Sequence, residues 1–367
     1  MKQVCLLCGR ISTDGNLWCQ EFDCPAEEKP VIFDYGQFLG DIKINRMLRV
    51  TRAAAFYEAE RVNKTLLLKV AHPRTQNQLK REAEILRQIQ SSHPKPSHPV
   101  LPILLPAYHP SSLSKHPYGK AVVAGEERFY EVFQHLEGEF LQDMLIKNPL
   151  PWYEHAAWLV MSLADVLAYL HSNVQRLHLT LSPETVLIRT DKEGIPRPTL
   201  LDLGLMVKET KPEHLQWLHY HGWPAYTAPE LTYTSPDTIN DCLPALPSSD
   251  VYGLGVLLYE MLAGHPAFEY QRKRHDQVRE AVRSHRPAGI MRTDLPEAIH
   301  RVVDRAIDKS PHERYEHIES FAEDLHRYFG QVPVEKKRRT ALQTITLIAI
   351  LLVAVLSLIV LLFTLFG

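Results

Sequence analysis

The feature that most limits how this chain can fold is the order of its periodicities: strand-like runs come first, helical ones afterwards, and the change falls at Pro151. From Ile42 to Lys69 the pattern is strand-like, ending in the apolar run Thr65 to Val70, which only Lys69 interrupts. Gln78 to Gln90 follows, with Leu79, Ala83, Leu86 and Ile89 at helical spacing on one apolar face. A Pro- and His-rich passage from His93 to His116 reads as a loop around one short strand, Val100 to Leu105, and Phe129 to Phe133 reads as another strand. Beyond Pro151, Trp152 to His171 has the length and periodicity of a buried helix. Val251 to Leu262, Gln277 to Ser284, Pro296 to Asp308 and His317 to Phe329 are helical in turn. Segregated strands and helices predict an α+β chain of two unlike lobes. At 367 residues and 45% hydrophobic content there is material for both cores. A formal net charge of −2 gives no general basic field, so nucleic acid is not an expected partner.

The two ends differ from this body. Cys5, Cys8, Cys19 and Cys24 are four of the chain's five cysteines, and Cys242 stands alone in a far segment as a packing or loop residue. Two close thiol pairs suit a tetrahedral Zn²⁺ bound by four sulfurs, and the pattern resembles a small zinc ribbon over residues 1–30. Unligated or redox-active cysteines are the other reading, disfavoured by the pairing in a reducing cytosol. Asp14, Glu21, Asp23, Glu27 and Glu28 outweigh Lys2, Arg10 and Lys29 there, which points to protein contact in preference to phosphate. Met1 to Asn16 lacks the apolar run of a secretory signal. At the other end a basic linker, residues 331–340 with Lys336, Lys337, Arg338 and Arg339, precedes an apolar segment over 341–366. Its unbroken part, Ile345 to Phe366, is long enough to cross a bilayer as a helix, and positive charge marks the cytoplasmic side. The expected topology is a C-terminal tail anchor with the N-terminal parts in the cytoplasm.

Between the ends, the motifs over residues 35–330 resemble the protein kinase family, nearest in style to bacterial Ser/Thr kinases. Lys69 in LLLK is similar to the strand lysine that holds nucleotide phosphates, and Glu82 in KREAEIL to its helix partner. LDLG, Leu201 to Gly204, is similar to DFG and makes Asp202 the candidate Mg²⁺ ligand. Ala228, Pro229 and Glu230 repeat APE, Asp250 resembles the buried aspartate of the large central helix, and Arg314 matches the arginine that pairs with the APE glutamate. The resemblance implies a bilobal fold, with a small β-rich lobe over about 35–135 and a large helical lobe over about 136–330. Structural roles are expected for Glu230, Asp250 and Arg314. Protein partners in signalling follow from the family.

The catalytic loop departs from that pattern. HRDLKPEN in the family is HLTLSPET here, His178 to Thr185. Thr180 stands in place of the catalytic aspartate, Ser182 in place of the phosphoryl-steadying lysine, and Thr185 in place of the asparagine ligand of the second metal. A hydroxyl cannot act as a base near neutral pH, and general-base help is worth about 100-fold to 10,000-fold in rate. Trp223 replaces the activation-segment threonine that bonds the missing aspartate and lysine. Arg49 to Ala54 align with GxGxxG without one glycine, so Cβ atoms keep the backbone amides away from phosphate. Phe56 and Leu67 align with the small residues that sandwich adenine, and side chains of their size fill its slot. The expectation is a kinase-like signalling scaffold without an intact catalytic set, a pseudokinase, in which Mg·ATP binding is disfavoured. A slow ATP-dependent Ser/Thr kinase using Lys69, Glu82 and Asp202 is the alternative. Lys69 and Glu82 also suit an ion pair that merely holds helix against sheet.

Overall fold

The computed structural model describes residues 2–5, 10–13, 19, 30–91, 98–107, 116–123, 125–208, 211–233, 236–270 and 274–329. Cys8, Cys24, the basic linker and the apolar segment therefore lie outside the described residues, as do the expectations resting on them. Among the described residues no helix is long and apolar enough to cross a membrane, and no group of three or more His, Cys, Asp or Glu is placed to hold a metal ion.

The chain opens with a three-stranded antiparallel sheet, β1 (Lys2–Val4), β2 (Ile11–Ser12) and β3 (Val31–Ile32), ordered β2-β1-β3. The sheet reaches past residue 30 because Val31 and Ile32 pair with Gln3 and Lys2 of β1. Phe33 then donates its backbone N–H to the Tyr57 hydroxyl at 3.1 Å, and Lys2 pairs with Asp34 at 2.6 Å, tying this sheet to the next one.

The first lobe contains β4 (Phe38–Leu39), β5 (Ile42–Val50), β6 (Ala54–Arg61), β7 (Lys64–Ala71), α1 (Gln76–Ser91), β8 (Leu104–Leu105), β9 (Gly119–Val123) and β10 (Glu126–Gln134). The sheet runs β4-β5-β6-β7-β10-β8, antiparallel throughout, with β9 pairing the first half of β10. Val62 and Asn63 both take positive φ, the twist that a two-residue hairpin between β6 and β7 requires. Side chains alternate across a strand, so Ala55, Tyr57, Ala59, Leu66, Leu68, Val70, Tyr130 and Val132 share one face and form the main core of the lobe. Their neighbours Phe56, Leu67, Lys69, Glu131 and Phe133 fall on the opposite face, where Leu79 of α1 packs on Ala71 and Phe129. The expected strand from Val100 shrinks to Leu104–Leu105, since β10 has only Val132 and Phe133 to offer it as partners.

The second lobe holds β11 (Glu139–Phe140), α2 (Leu141–Lys147), α3 (Tyr153–Tyr169), β12 (Val186–Thr190), β13 (Pro196–Leu200), α4 (Pro212–His221), α5 (Pro247–Ala263), α6 (His275–Ser284), α7 (Glu297–Ala306) and α8 (Ile318–Phe329). α5 is buried from Ser248 to Leu262 and packs against α3 and α7, which explains why its apolar residues show no solvent-facing stripe. It stops at Gly264, whose φ of +78° supplies the left-handed residue of a helix C-terminus. α4 is the one long element that the periodicity did not announce. Pro212 fits the first helical turn, but Leu215 and Leu218 are its only buried aliphatic residues among polar and aromatic ones.

Candidate functional site

The strand register builds the cleft one row at a time. Phe56 on β6, Lys69 on β7 and Glu131 on β10 are consecutive cross-strand partners, and Glu58, Leu67 and Phe133 form the next row on the same face. Lys69 is 2% exposed, and its ammonium donates to Glu82 of α1, 1% exposed, and to Asp202 Oδ1 at 2.8 Å. α1 comes this close to the LDLG turn because residue 204 is glycine; a Cβ there would meet the Gln78 carbonyl oxygen at 2.9 Å. Asp202 itself has a φ of +63°. Burial opposes charge on Lys69, but Asp202, Glu82 and Glu131 outweigh it and hold the ammonium above its ordinary pKa. Burial likewise works against Asp202, yet Lys69 keeps that carboxyl below the usual range.

Glu131 is the member of this group that motif reading missed. It is 0% exposed, and neither carboxyl oxygen has a hydrogen-bond partner among the described residues. Burial first, and then the Glu82 charge, push its carboxyl well above the normal value, which favours the neutral acid. The signal was present in the strand FYEVF: a lone carboxylate at the same parity as the inward-facing Lys69 position.

Phe56 is 0% exposed and meets Phe140 edge-on, with centroids 5.5 Å apart at 61°, while the Lys69 ammonium stands 5.6 Å from the Phe56 ring centre. Leu67 is buried beside it. On the Phe56 side, Lys69 is therefore covered by hydrocarbon. A recess of about 300 Å³ remains at the outer mouth, between Met47, Leu48, Phe140 and Leu187, and neither Lys69 nor Asp202 lines it.

The glycine-free segment is fixed to the second lobe. Arg49 donates to Asp143 of α2 at 2.6 Å and to Glu184 of the catalytic loop at 2.8 Å, and the other oxygen of Glu184 accepts from the Trp223 indole at 2.7 Å. Arg52 donates to the Gly222 carbonyl at 2.6 Å, just past α4. On the far side of α4, Arg81 of α1 lies 5.7 Å from the Trp217 ring and donates to the Met206 carbonyl. His221 is held down to about 4 by burial and Arg52, against the pull of Asp202, so it is neutral near pH 7. α4 is thus latched between helix α1 and the segment that would cover phosphates.

In the catalytic loop, buried Thr180 has, among the described residues, only a long 3.4 Å contact from its hydroxyl to the His178 carbonyl. The Thr185 hydroxyl donates to the Ser182 carbonyl at 2.9 Å and accepts the Ser182 N–H at 3.1 Å, so it closes its own turn. The Ser182 hydroxyl has no partner among the described residues. Neither ring nitrogen of His178 has a partner among the described residues, and burial lowers its pKa. Its backbone N–H and that of Leu179 donate to Asp250, at 2.8 and 2.7 Å, and His171 Nε2 lies 2.8 Å from the same carboxylate. The predicted pair Arg314 and Glu230 meets through two parallel bonds of 2.9 and 2.7 Å, staple-like within the helical lobe. Of the cysteines, Cys5 is buried directly after β1, with its N–H bonded to the Arg10 carbonyl at 2.8 Å, and Cys19 is half-buried.

A family model described as protein kinase domain matches residues 55–327. The serine/threonine-protein kinase PkaA of Streptomyces coelicolor is 31% identical over 160 residues, which is 43% of this chain and 27% of that protein. The serine/threonine-protein kinase PrkC of Bacillus subtilis is 23% identical over 232 residues, 63% of this chain and 33% of that one. The chain thus spans about a third or less of the length of these relatives. The crystal structure of the Mycobacterium tuberculosis PknI kinase domain superposes with a TM-score of 0.53 at 17% identity, covering 81% of this chain and 99% of that one. That likeness gives the bilobal kinase fold, with a β-rich first lobe and a helical second one. Since the matched span takes in the Lys69, Glu82 and Asp202 cluster, the latched α4 and the Glu230 to Arg314 staple alike, the chain belongs to the protein kinase family.

Proposed function

We propose that this chain is a catalytically silent kinase-fold scaffold, a pseudokinase that offers its surfaces to protein partners in signalling. The observation that carries the reading is the packing around Lys69: Phe56 meets Phe140 beside the ammonium, and Arg49 of the glycine-free segment bridges to Glu184. Thr180 supports it, because phosphoryl transfer depends on positioning and charge and this position supplies no charge. The metal ligands fit poorly. Asp202 is engaged with Lys69, and Thr185, where the family has an asparagine, spends its hydroxyl on its own turn. Incubation of the purified protein with Mg²⁺ and γ-labelled ATP tests this: no label above background is expected, and label that disappears in Asp202→Ala overturns the proposal.

The second reading, a slow Ser/Thr kinase, draws on the assembled Lys69, Glu82 and Asp202. Such a group is also what a lysine buried between sheet and helix requires for neutralisation, so it argues weakly for catalysis. The remaining parts of the proposal come from the sequence. A structural zinc ion held by Cys5, Cys8, Cys19 and Cys24 is supported by the two close thiol pairs in the sequence. Near-stoichiometric metal in the purified protein is expected, and a metal-free preparation with the same melting curve argues against it. A membrane tether over residues 341–366 is supported by its apolar length and the preceding cations. Removal of the chain from Thr340 onward is expected to release the protein from membranes.

A further inference from the structure

α3 starts with an aromatic cluster that the fold does not fully cover. The Trp152 ring lies 4.9 Å from His155 and 6.2 Å from Trp158, and Tyr153 packs 5.9 Å from Phe329, which ends α8. Trp152 is nevertheless 50% exposed, and Leu150, two residues earlier, is 48% exposed. Pinning α3 to α8 would bury these rings, whereas here the largest ring of the cluster stays half in solvent beside an exposed leucine. Cations near the patch are matched by carboxylates: Arg292 with Asp294 at 2.7 Å, Arg327 with Asp324 at 2.8 Å, and Lys147 with Glu139. The face is aromatic and close to electrically neutral.

The sequence leaves this face at Phe329 and reaches the apolar stretch at Ile345 through residues 330–344. A linker of that length spans about 50 Å at full extension, which is about the width of a domain of this size. The face around Phe329 is the one from which the chain departs toward that stretch. Tryptophan and tyrosine favour the headgroup level of a bilayer, with ring buried and polar edge wet. We propose that Leu150, Trp152, Tyr153 and Phe329 form a docking face for the uncharged headgroup boundary of the bilayer, which fixes the orientation of the kinase-fold domain on the membrane. The inference rests on the tether reading. Because the cations near this face are paired, docking is expected to need no anionic lipid and to persist at high salt, unlike any contribution from Lys336 to Arg339.

The test uses the full chain reconstituted into phosphatidylcholine vesicles that carry lipid brominated near the headgroup end of the acyl chain, a shallow quencher of indole fluorescence. The chain has five tryptophans, and quenching of roughly a fifth of the emission is expected. Trp152→Phe, which keeps an apolar ring, is expected to abolish that loss, and Trp217→Phe on α4 to leave it intact. Protein that floats with the vesicles but shows no quenching, or quenching unaltered in Trp152→Phe, overturns the docking face alone, and a second copy or another protein then covers it. Protein that fails to float overturns the tether and the docking face together.

Discussion

Replacing Phe56 by alanine removes the side chain that, on the proposed reading, occupies the adenine slot. In the folded protein Phe56 is fully buried, meets Phe140 edge-on at 5.5 Å and flanks the Lys69 ammonium. Truncating a fully buried phenylalanine costs about 3–5 kcal/mol, of which the aromatic pair accounts for about 1 kcal/mol. At roughly 2–4 °C per kcal/mol for a domain of this class, the melting temperature should fall by about 6–20 °C. Phe140, the ring that Phe56 meets, also lines the recess of about 300 Å³, while the Arg49 to Glu184 bridge stays in place. Adenosine, which carries no phosphate, is therefore the informative probe. At a hundredfold excess over its dissociation constant a ligand returns about 2.7 kcal/mol, so saturating adenosine should recover much of the lost stability in Phe56→Ala and none in the parent. Differential scanning fluorimetry with and without adenosine measures both effects. A loss below about 1 kcal/mol would show that Phe56 is not packed as described, and stabilisation of the parent by adenosine would refute the claim that the slot is filled.

Three further outcomes are expected. Thr180→Asp alone should leave phosphoryl transfer at background, because it restores a carboxylate without clearing Phe56 or Arg49; transfer above the parent in a filter-binding assay would mean that the base was the only missing part. Glu131→Gln should change the pH dependence of stability. The native carboxyl sits well above its ordinary value of 4.5, so the folded state keeps a proton that the unfolded chain releases, and stability present below that pH is lost as pH rises toward the raised native value. The glutamine variant lacks that loss, so its melting temperature should exceed the parent's at about pH 8 and approach it near about pH 5, and parallel pH profiles would contradict the assignment. Arg314→Ala strands Glu230 in a buried site, with side-chain exposures of 0% and 3% for the pair, and should cost about 3–5 kcal/mol in denaturant melts; a cost under about 1 kcal/mol would show the staple to be ornamental.

The division into a strand-rich and a helical lobe could be read from the sequence because periods of two and of 3.6 are local properties. The group around Lys69 was legible for a related reason. Each member lies in a short motif whose order along the chain matches a known series, and the register then brings Lys69, Glu82 and Asp202 together. Glu131 lacked a motif, although its parity within β10 marked it as inward-facing. The Arg49, Glu184 and Trp223 contacts were not legible at all, since they join residues 135 and 39 positions apart with no local pattern. α4 escaped notice because its stability comes from partners outside the helix, Arg52 and Arg81, in place of a continuous apolar stripe. β8 was overestimated because the run from Val100 has strand composition but finds only two partners on β10.

The central claim is that this kinase-fold cleft is occupied by its own side chains. Calorimetric titration of Mg·ATP into the purified protein addresses it most directly. The account predicts no saturable heat up to millimolar nucleotide. A saturable isotherm that Lys69→Met or Asp202→Ala abolishes would contradict it.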